Sequence, residues 1–305
     1  MNQVPANWPD ILDKRFTRIY NDRFKAEPDR IAEFYQTLTG TQQTERFSTV
    51  GTIGDLEAFS GMIGYGDVFQ GYDVSVTPVQ FAKGLQIERT LVEDDQFNIM
   101  DQKPKALAAS ASRTRQTHAA RPFNNAFSVD TYFSTNTEGV AMCSNSHTTT
   151  SGASTATGFD NLVTTGLSAV AVGAARTQMM NFRGDQSEII SMMPSVLLVP
   201  EQGNMHETAW EIVNSMGKPD SANNNANFYK DMFTVKSWIY LTDANNWFML
   251  DMPMLKDIGL KWVERVKPEF GFVEDFDTIV AKYRVYGRWA NGWVDWRPTL
   301  GAQVS

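Results

Sequence analysis

Between Asp94 and Phe127 the chain reads DDQFNIMDQKPKALAASASRTRQTHAARPFNNAF, and no other stretch restricts the fold as much. From Lys103 to Arg121 there is no glycine, and Ala, Leu, Arg, Gln and Lys dominate, all good helix formers. Asp101 stands at the N-cap position, and Pro104 falls in the first turn, where a missing N–H costs little. Pro122 biases Arg121 away from helical angles and so ends or kinks the segment. About 19 residues at ~1.5 Å rise give a rod of roughly 28 Å. Leu107, Ala108, Ala111 and Ala119 share a shallow apolar face, interrupted by Arg115, which suits a helix lying flat on a sheet.

The chain before it has two textures. Residues 2–47 form an amphipathic arm, with Leu12, Phe16, Tyr20 and Phe24 at four-residue steps and a second piece carrying Ile31, Phe34 and Tyr35. Such an arm docks either on its own body or on a neighbour. From Ser48 to Val92 glycines abound and no helical period survives. Tyr72, Val74 and Val76, then Val79 and Phe81, alternate with polar residues, and Leu85 and Ile87 resume after Lys83-Gly84. This predicts a β-hairpin over Gly71–Gln86, and Pro78 makes it an edge or exposed one.

After the long helix, Ser128–Gly158 is poor in large apolar residues and reads as a loop that supplies no core. A helix is expected from Phe159 to about Phe182, with Gly184 as its stop. Val196–Val199 is a strand ended by Pro200, and Thr208–Ser215 a short helix presenting Trp210 and Val213. The strands FTVKSWIYL and NWFMLDMP follow, separated by a turn through Thr242, Asp243 and Ala244, in a mixed α/β unit. Gly217–Ala226 is a polar loop. From Val263 the chain is strand-rich, and Pro298 closes the last strand.

Composition removes several functions. The chain has 305 residues, net charge -8 and a pI near 5.0, without a basic stripe, which disfavours sequence-specific nucleic-acid binding. One cysteine, Cys143, excludes an intramolecular disulfide and a multi-Cys zinc site. The N-terminal residues lack the basic and apolar regions of a signal peptide, and no run reaches a spanning helix, so a soluble protein made in the cytosol is expected. Gly64-Tyr65-Gly66-Asp67-Val68-Phe69-Gln70-Gly71 lacks the third glycine of a dinucleotide fingerprint. Cys143 and His147 sit in a Ser/Thr-rich loop without further ligands, and His206-Glu207 is not a metalloprotease helix because position 210 is Trp. The carboxylate groups Glu93, Asp94, Asp95 and Glu274, Asp275, Asp277 fit solvated turns better than paired acid–base work. Trp238, Trp247, Trp262, Trp289, Trp293 and Trp296 suit core and interface anchoring better than a glycan platform. No assembled acid, base and electrophile emerges, so no enzyme, cofactor or metal site is expected.

The order of elements resembles the Hong Kong 97-type capsid fold of tailed bacteriophages: arm, extended hairpin, long spine helix, α/β unit and returning strands, an α+β class. SVLLVPEQGNMHETAWEIV, WIYLTDANNWFMLDMPML and FDTIVAKYRVYGRWANGWVDWRPTLGA carry this likeness, the last with spaced basic residues Lys282, Arg284 and Arg288. CSNSHTTTSG, FDNL, AWEIVNS, ANNNANF and NNWFMLD resemble the Mu-like phage major head proteins. The resemblance implies an arm over 1–47, an extended loop over 48–90, a peripheral part with the spine helix over 91–158, an axial part over 159–260 and returning strands over 261–305. It implies a capsid subunit of the virion, assembled in the host cytoplasm into pentamers and hexamers around non-specifically packaged DNA, with scaffold and portal proteins as partners and no membrane. Val79, Phe81, Lys83 and Leu85 of the hairpin and Phe16 and Tyr20 of the arm become the expected inter-subunit contacts, and loops such as Gly217–Asn227 would approach the capsomer centre. Lys83 is the one position to consider for a subunit cross-link. An encapsulin-type shell enclosing enzyme cargo shares the fold, and a glycan-binding or hydrolytic protein is the alternative from another class.

Overall fold

The computed structural model describes residues 8–56, 58–59, 61–63, 65, 67–88, 99–219, 225–275 and 280–304. Its frame is a four-stranded sheet in the order β1-β10-β11-β4, where β1 is Gln36–Thr39, β4 Val79–Glu88, β10 Leu260–Asp275 and β11 Val280–Trp293. The long helix, α3 (Gln102–Asn124), lies against one face of it together with α1 (Trp8–Ala26). A five-stranded sheet, β6-β12-β9-β7-β8, holds the second core; its strands are Leu162–Val163, Thr299–Ala302, Trp247–Leu250, Val196–Pro200 and Thr234–Trp238 in that spatial order. Helices α4 (Ala169–Met180) and α5 (Met205–Asn214) cover one face of it, through Val172, Met179, Ile212 and Val213. The end of α3 reaches the other face through Phe123, which meets Phe248 and Trp238 edge-on. A small sheet of β2 (Glu45–Val50), β3 (Gln70–Val76) and β5 (Ser134–Asn136) completes the chain. Among the described residues no helix is long and apolar enough to cross a membrane.

The long helix runs slightly beyond its expected limits. A 3₁₀ turn, Ile99–Asp101, precedes it, and Asp101 adopts helical angles without capping; its carboxylate takes an ion pair from Arg15 at 2.6 Å instead. Pro122 lies inside the last turn. Lacking an N–H, it leaves the carbonyl of His118 without its helical donor, and the buried Asn291 amide donates there at 2.6 Å. Arg115, which breaks the apolar face, is itself buried. It pairs with Glu264 of β10, and its guanidinium lies 5.4 Å from the Trp262 ring and 5.6 Å from the Trp289 ring.

The arm docks on its own body. Phe16 and Tyr20 are each 1% exposed, Phe16 against Tyr283 and Tyr20 stacked on Phe270, the Phe16 burial contributing about 1.5–3 kcal/mol. Phe16, Tyr20 and Phe24 of the stripe therefore face inward, and the rim open to other molecules is Lys14, Arg18, Asn21 and Lys25.

Several expectations are corrected. No hairpin forms over Gly71–Gln86: β3 pairs with β2 and β5, while β4 pairs with β11. The chain changes sheets at Thr77-Pro78, where Pro78 has no donor for either ladder. Lys83-Gly84 is not a turn; Gly84 lies mid-strand opposite Arg284, where a Cβ would come 3.0 Å from the Tyr283 carbonyl. The hairpin that exists joins β2 to β3 through 51–69. Helix α4 begins at Ala169, because Ser168 caps it by accepting from the Ala171 N–H at 3.1 Å. The preceding FDN segment instead buries Asn161, whose amide donates to the Met142 and Thr299 carbonyls, both at 2.9 Å. The loop 128–158 supplies core after all, through Phe133, Met142, Cys143 and His147. Strands β8 and β9 are not neighbours, because β7 enters between them, parallel to β8 and antiparallel to β9. Pro298 precedes β12 rather than closing it.

The Arg115–Glu264 pair yields a prediction. Arg115→Met leaves an uncompensated buried carboxylate and should lower unfolding free energy by about 3–5 kcal/mol, whereas Arg115→Met with Glu264→Leu should lose much less. Urea denaturation of the three proteins decides it, and additive losses would refute the coupling.

Candidate assembly surfaces

The expected contact residues divide by burial. Val79, Phe81 and Leu85 are half-buried on the helix-facing side of β4, and Phe81 stacks on Trp289 at 4.7 Å. Lys83 is exposed on the same strand, which is the open edge of its sheet. Phe16 and Tyr20 are spent on the internal core described above.

A larger surface lies where no periodic signal pointed. In the loop between β2 and β3, Ile53, Leu56, Phe59, Met62, Tyr65 and Val68 are all exposed, Leu56 at 99% and Tyr65 at 93%. An apolar patch of this kind marks an interaction site. The available sequence cue is apolar residues without period in a run free of Lys and Arg, since between Phe47 and Ala82 the only charges are Asp55, Glu57, Asp67 and Asp73.

Polar contacts hold the root of this hairpin. The Gly51 N–H donates to the Phe69 carbonyl at 2.7 Å, the Asp185 N–H to Thr52 Oγ1 at 2.8 Å, and Thr150 Oγ1 to the Gln70 carbonyl at 2.6 Å. Asp185 is fixed by Arg297 at 3.0 Å, and Arg297 also reaches Asp295 at 3.1 Å. These two carboxylates hold the buried guanidinium charged against the opposing effect of burial. A cavity of about 570 Å³ lies beneath, between Tyr72 and Thr49 of the hairpin and Met254, Ile258 and Trp296 of the body. On the α4/α5 side of the second sheet, Trp210, Met216 and Phe228 are exposed. The loop 217–227 is described only in part.

The chemical candidates stay scattered. Glu93, Asp94, Asp95 and Asp277 lie outside the described residues, as do Gly64 and Gly66; Asp275 pairs with Lys282 at 2.5 Å. Cys143 is buried, which pushes its thiol pKa far up, away from thiolate chemistry. The His147 ring stacks on Trp296 at 4.3 Å, with Nδ1 3.0 Å from Glu138. His206 is on the surface, 3.9 Å from Glu201. Among the described residues no three His, Cys, Asp or Glu side chains gather as a metal site. Trp238, Trp247, Trp262, Trp289 and Trp296 are buried and Trp293 is half-buried, so these rings form core rather than a surface platform.

A sequence profile described as phage capsid protein matches residues 71–300. No curated protein sequence matches the chain. Among solved structures, a mature capsid subunit of bacteriophage PhiM1 has a TM-score of 0.60 at 8% identity, over 92% of this chain and 88% of that one. A procapsid subunit of bacteriophage JBD30 gives 0.53 at 14% identity, covering 99% and 76%. The subunit of a virus-like particle from Pyrococcus furiosus gives 0.52 at 8% identity, covering 95% and 98%. The fold is thus the Hong Kong 97-type shell fold. The chain belongs to the phage capsid protein family, whose members build the shell of the virion.

His118 supplies a test of the packing behind these surfaces. Its Nδ1 accepts from Trp289 Nε1 at 3.1 Å, and burial, with Arg121 nearby, lowers its pKa from 6.5 to about 4. Between those values the unfolded chain binds a proton that the folded chain does not. Stability should therefore be complete above about pH 6.5 and fall as pH drops toward about 4. His118→Gln, which keeps an acceptor for Trp289, should show a shallower decline in denaturant midpoint; parallel curves would exclude the assignment.

Proposed function

We propose that the protein is the major head subunit of a Mu-like tailed phage or prophage, acting through repeated contacts and not through a reactive centre. The observation that carries this reading is a well-packed body from which the loop between β2 and β3 presents Ile53, Leu56, Phe59, Met62, Tyr65 and Val68, all exposed among the described residues. Identical copies related by cyclic symmetry can cover such loops in turn, each copy both giving and receiving one. The motifs CSNSHTTTSG, ANNNANF and NNWFMLD support the Mu-like assignment.

In this reading the four-stranded sheet with α1 and α3 is the peripheral part, and the five-stranded sheet with α4 and α5 is the axial part. The hairpin β2–β3 overlies a neighbour, a role that passes to it from Gly71–Gln86. The open edge at Val79, Phe81, Lys83 and Leu85 and the exposed rim of the arm meet adjacent copies, while Phe16 and Tyr20 hold the arm in place. Trp210, Met216 and Phe228, with the loop 217–227, approach the capsomer centre. Scaffold and portal proteins and non-specifically enclosed DNA are the further partners; a chain of net charge -8 forms a wall that does not grip the genome. The second reading is an encapsulin-type shell, and the likeness in fold to the virus-like particle from Pyrococcus furiosus is compatible with it.

Negative-stain electron microscopy with sedimentation of the purified protein tests the reading. Rings of five or six, tubes or closed shells are expected, with nucleic acid rather than a cargo protein inside particles made in cells. A persistent monomer across concentration and salt, even with a scaffold supplied, would overturn it. Replacing Ile53–Val68 by a short Gly-Ser linker should abolish closed shells and leave the melting temperature within a few degrees; shells at wild-type yield would remove the hairpin from the contact.

A further inference from the structure

Charge is divided unevenly over this fold. Helices α1 and α3 together hold ten of the chain's 27 Lys and Arg residues but only three of its 35 Asp and Glu residues, all three in α1. Arg115 and Arg121 of α3 are spent on Glu264 and Asp130. The other eight cations are all exposed.

The two helices run side by side in the same direction. Arg15 pairs with Asp101 just before α3, Tyr20 packs with Leu107 and Ala108, and the Arg115 guanidinium lies 6.0 Å from the Phe24 ring. Lys14 therefore stands level with the start of α3 near Lys103, and Lys25 level with the turn that carries Arg113. Along α1, Lys14, Arg18, Asn21 and Lys25 follow at helical steps and line one shallow hollow. Along α3, Lys103, Ala106, Arg113 and Thr117 share the exposed side. Each row of cations is about 15–16 Å long at ~1.5 Å per residue, and packed helices lie roughly 8–10 Å apart. Folding thus builds a two-railed basic track that is not visible along the sequence, because its rails come from separate segments.

Part of this charge is answered nearby, Arg15 by Asp101, Arg18 by Asp22 at 3.7 Å and Arg23 by Glu27 at 2.6 Å. Lys14, Lys25, Lys103, Lys105 and Arg113 make no ion pair among the described residues. Neither helix exposes a large apolar side chain among those residues, so a partner on this face is held by charge. The same pattern tells against a nucleic-acid duplex. Asp22 and Glu27 stand among the cations, and the rest of the chain carries a surplus of negative charge; both repel phosphate. A protein segment with spaced carboxylates meets the cations one by one and leaves room for the acids between them.

We propose that the α1–α3 face binds an acidic protein segment, in helical form, laid along α1. Its carboxylates, at steps of four and seven residues, face Lys14, Arg18 and Lys25, with Lys103 and Arg113 alongside. The contact is polar throughout, so it is reversible and screened by salt. It adds to the shell reading a surface for a partner that is not a shell subunit, and the binding itself needs no shell.

Fluorescence anisotropy of a short labelled helical peptide with Glu at those steps, titrated with full-length protein at low salt, tests the proposal. Wild type should bind it, release it as salt rises, and ignore the same peptide with Gln for Glu. Arg18→Glu with Lys25→Glu and Arg113→Glu should weaken binding about tenfold or more. Lys230→Glu with Lys267→Glu and Arg284→Glu, an equal change of net charge at exposed positions elsewhere, should leave it within about threefold. Circular dichroism melts check that both sets fold, and Arg18→Gln with Lys25→Gln and Arg113→Gln is the milder set, expected to weaken binding severalfold. Equal losses in the two charge-reversed sets, or no binding by wild type, would overturn the site and leave the shell reading standing. A short DNA duplex bound more tightly than the peptide, and lost in the α1–α3 set, would assign the face to phosphate and overturn it. A raised assembly concentration in that set without any peptide binding would give the face to a second copy of the chain and overturn it as well.

Discussion

The buried pair Arg115–Glu264 is the constraint around which the body is arranged. Before Phe123 at its end, the apolar residues that the long helix buries are Pro104, Leu107, Ala108, Ala119, Ala120 and Pro122, mostly too small to fix how the helix lies on a sheet by shape alone. A charge buried among Trp262, Trp289 and Phe24 does fix it, because any slip of the helix would leave that charge without its partner. The contacts on either side agree with the same placement. The Tyr35 hydroxyl donates to the Ala119 carbonyl at 2.5 Å, and Asn291 supplies the donor that Pro122 removes. Arm, helix and strand ladder are thereby locked in one register.

From that lock follows a division between surfaces that this chain finishes and surfaces that it leaves open. The arm, the helix and one face of the four-stranded sheet bury each other's aromatic rings: Phe16, Tyr20, Phe270 and Tyr283. Among the described residues, the hairpin loop, the open edge at β4, the outer half of the same sheet and the outward side of α5 with Phe228 have no cover. For a monomer such exposure is a liability. For a subunit of a closed shell it is the means of assembly, since each open surface is completed by another copy. The hairpin root, held by hydroxyls and Asp185 over a cavity instead of by packed core, gives the projecting loop a polar and therefore adjustable footing.

Local pattern carried much of this architecture. The long helix, the strand at Val196–Val199, the helix bearing Trp210 and the strand-rich tail are each legible from spacing and composition, because each obeys its own period over a sufficient length. Gly84 was misread as a turn for the same reason: alternation reports that residues are extended, and says nothing of which strand lies beside them. Phe159–Asn161 was misread as a helix start because the bonds that bury Asn161 come from Met142 and Thr299, far away in the chain. The Ser/Thr-rich loop looked unable to supply core, yet Phe133 packs on the ring of Phe81 in β4 and His147 on that of Trp296 in the returning tail.

The sequence by itself determined most of the elements, the α+β class, the inward-facing character of the tryptophans from Trp238 to Trp296 and, through resemblance, the family. Those properties depend on propensity, periodicity and motif, all readable within a few dozen residues. Only the tertiary structure decided which strands pair, that the arm's aromatic stripe closes on its own body, and that the projecting hairpin is β2–β3 rather than Gly71–Gln86. It also decided that Arg115 is a buried ion partner and Arg284 an exposed residue, two arginines that composition treats alike. Phe16 with Tyr283, Gly84 with Arg284 and Arg115 with Glu264 are each more than a hundred positions apart, and distance in space, unlike period, leaves no mark in a single chain.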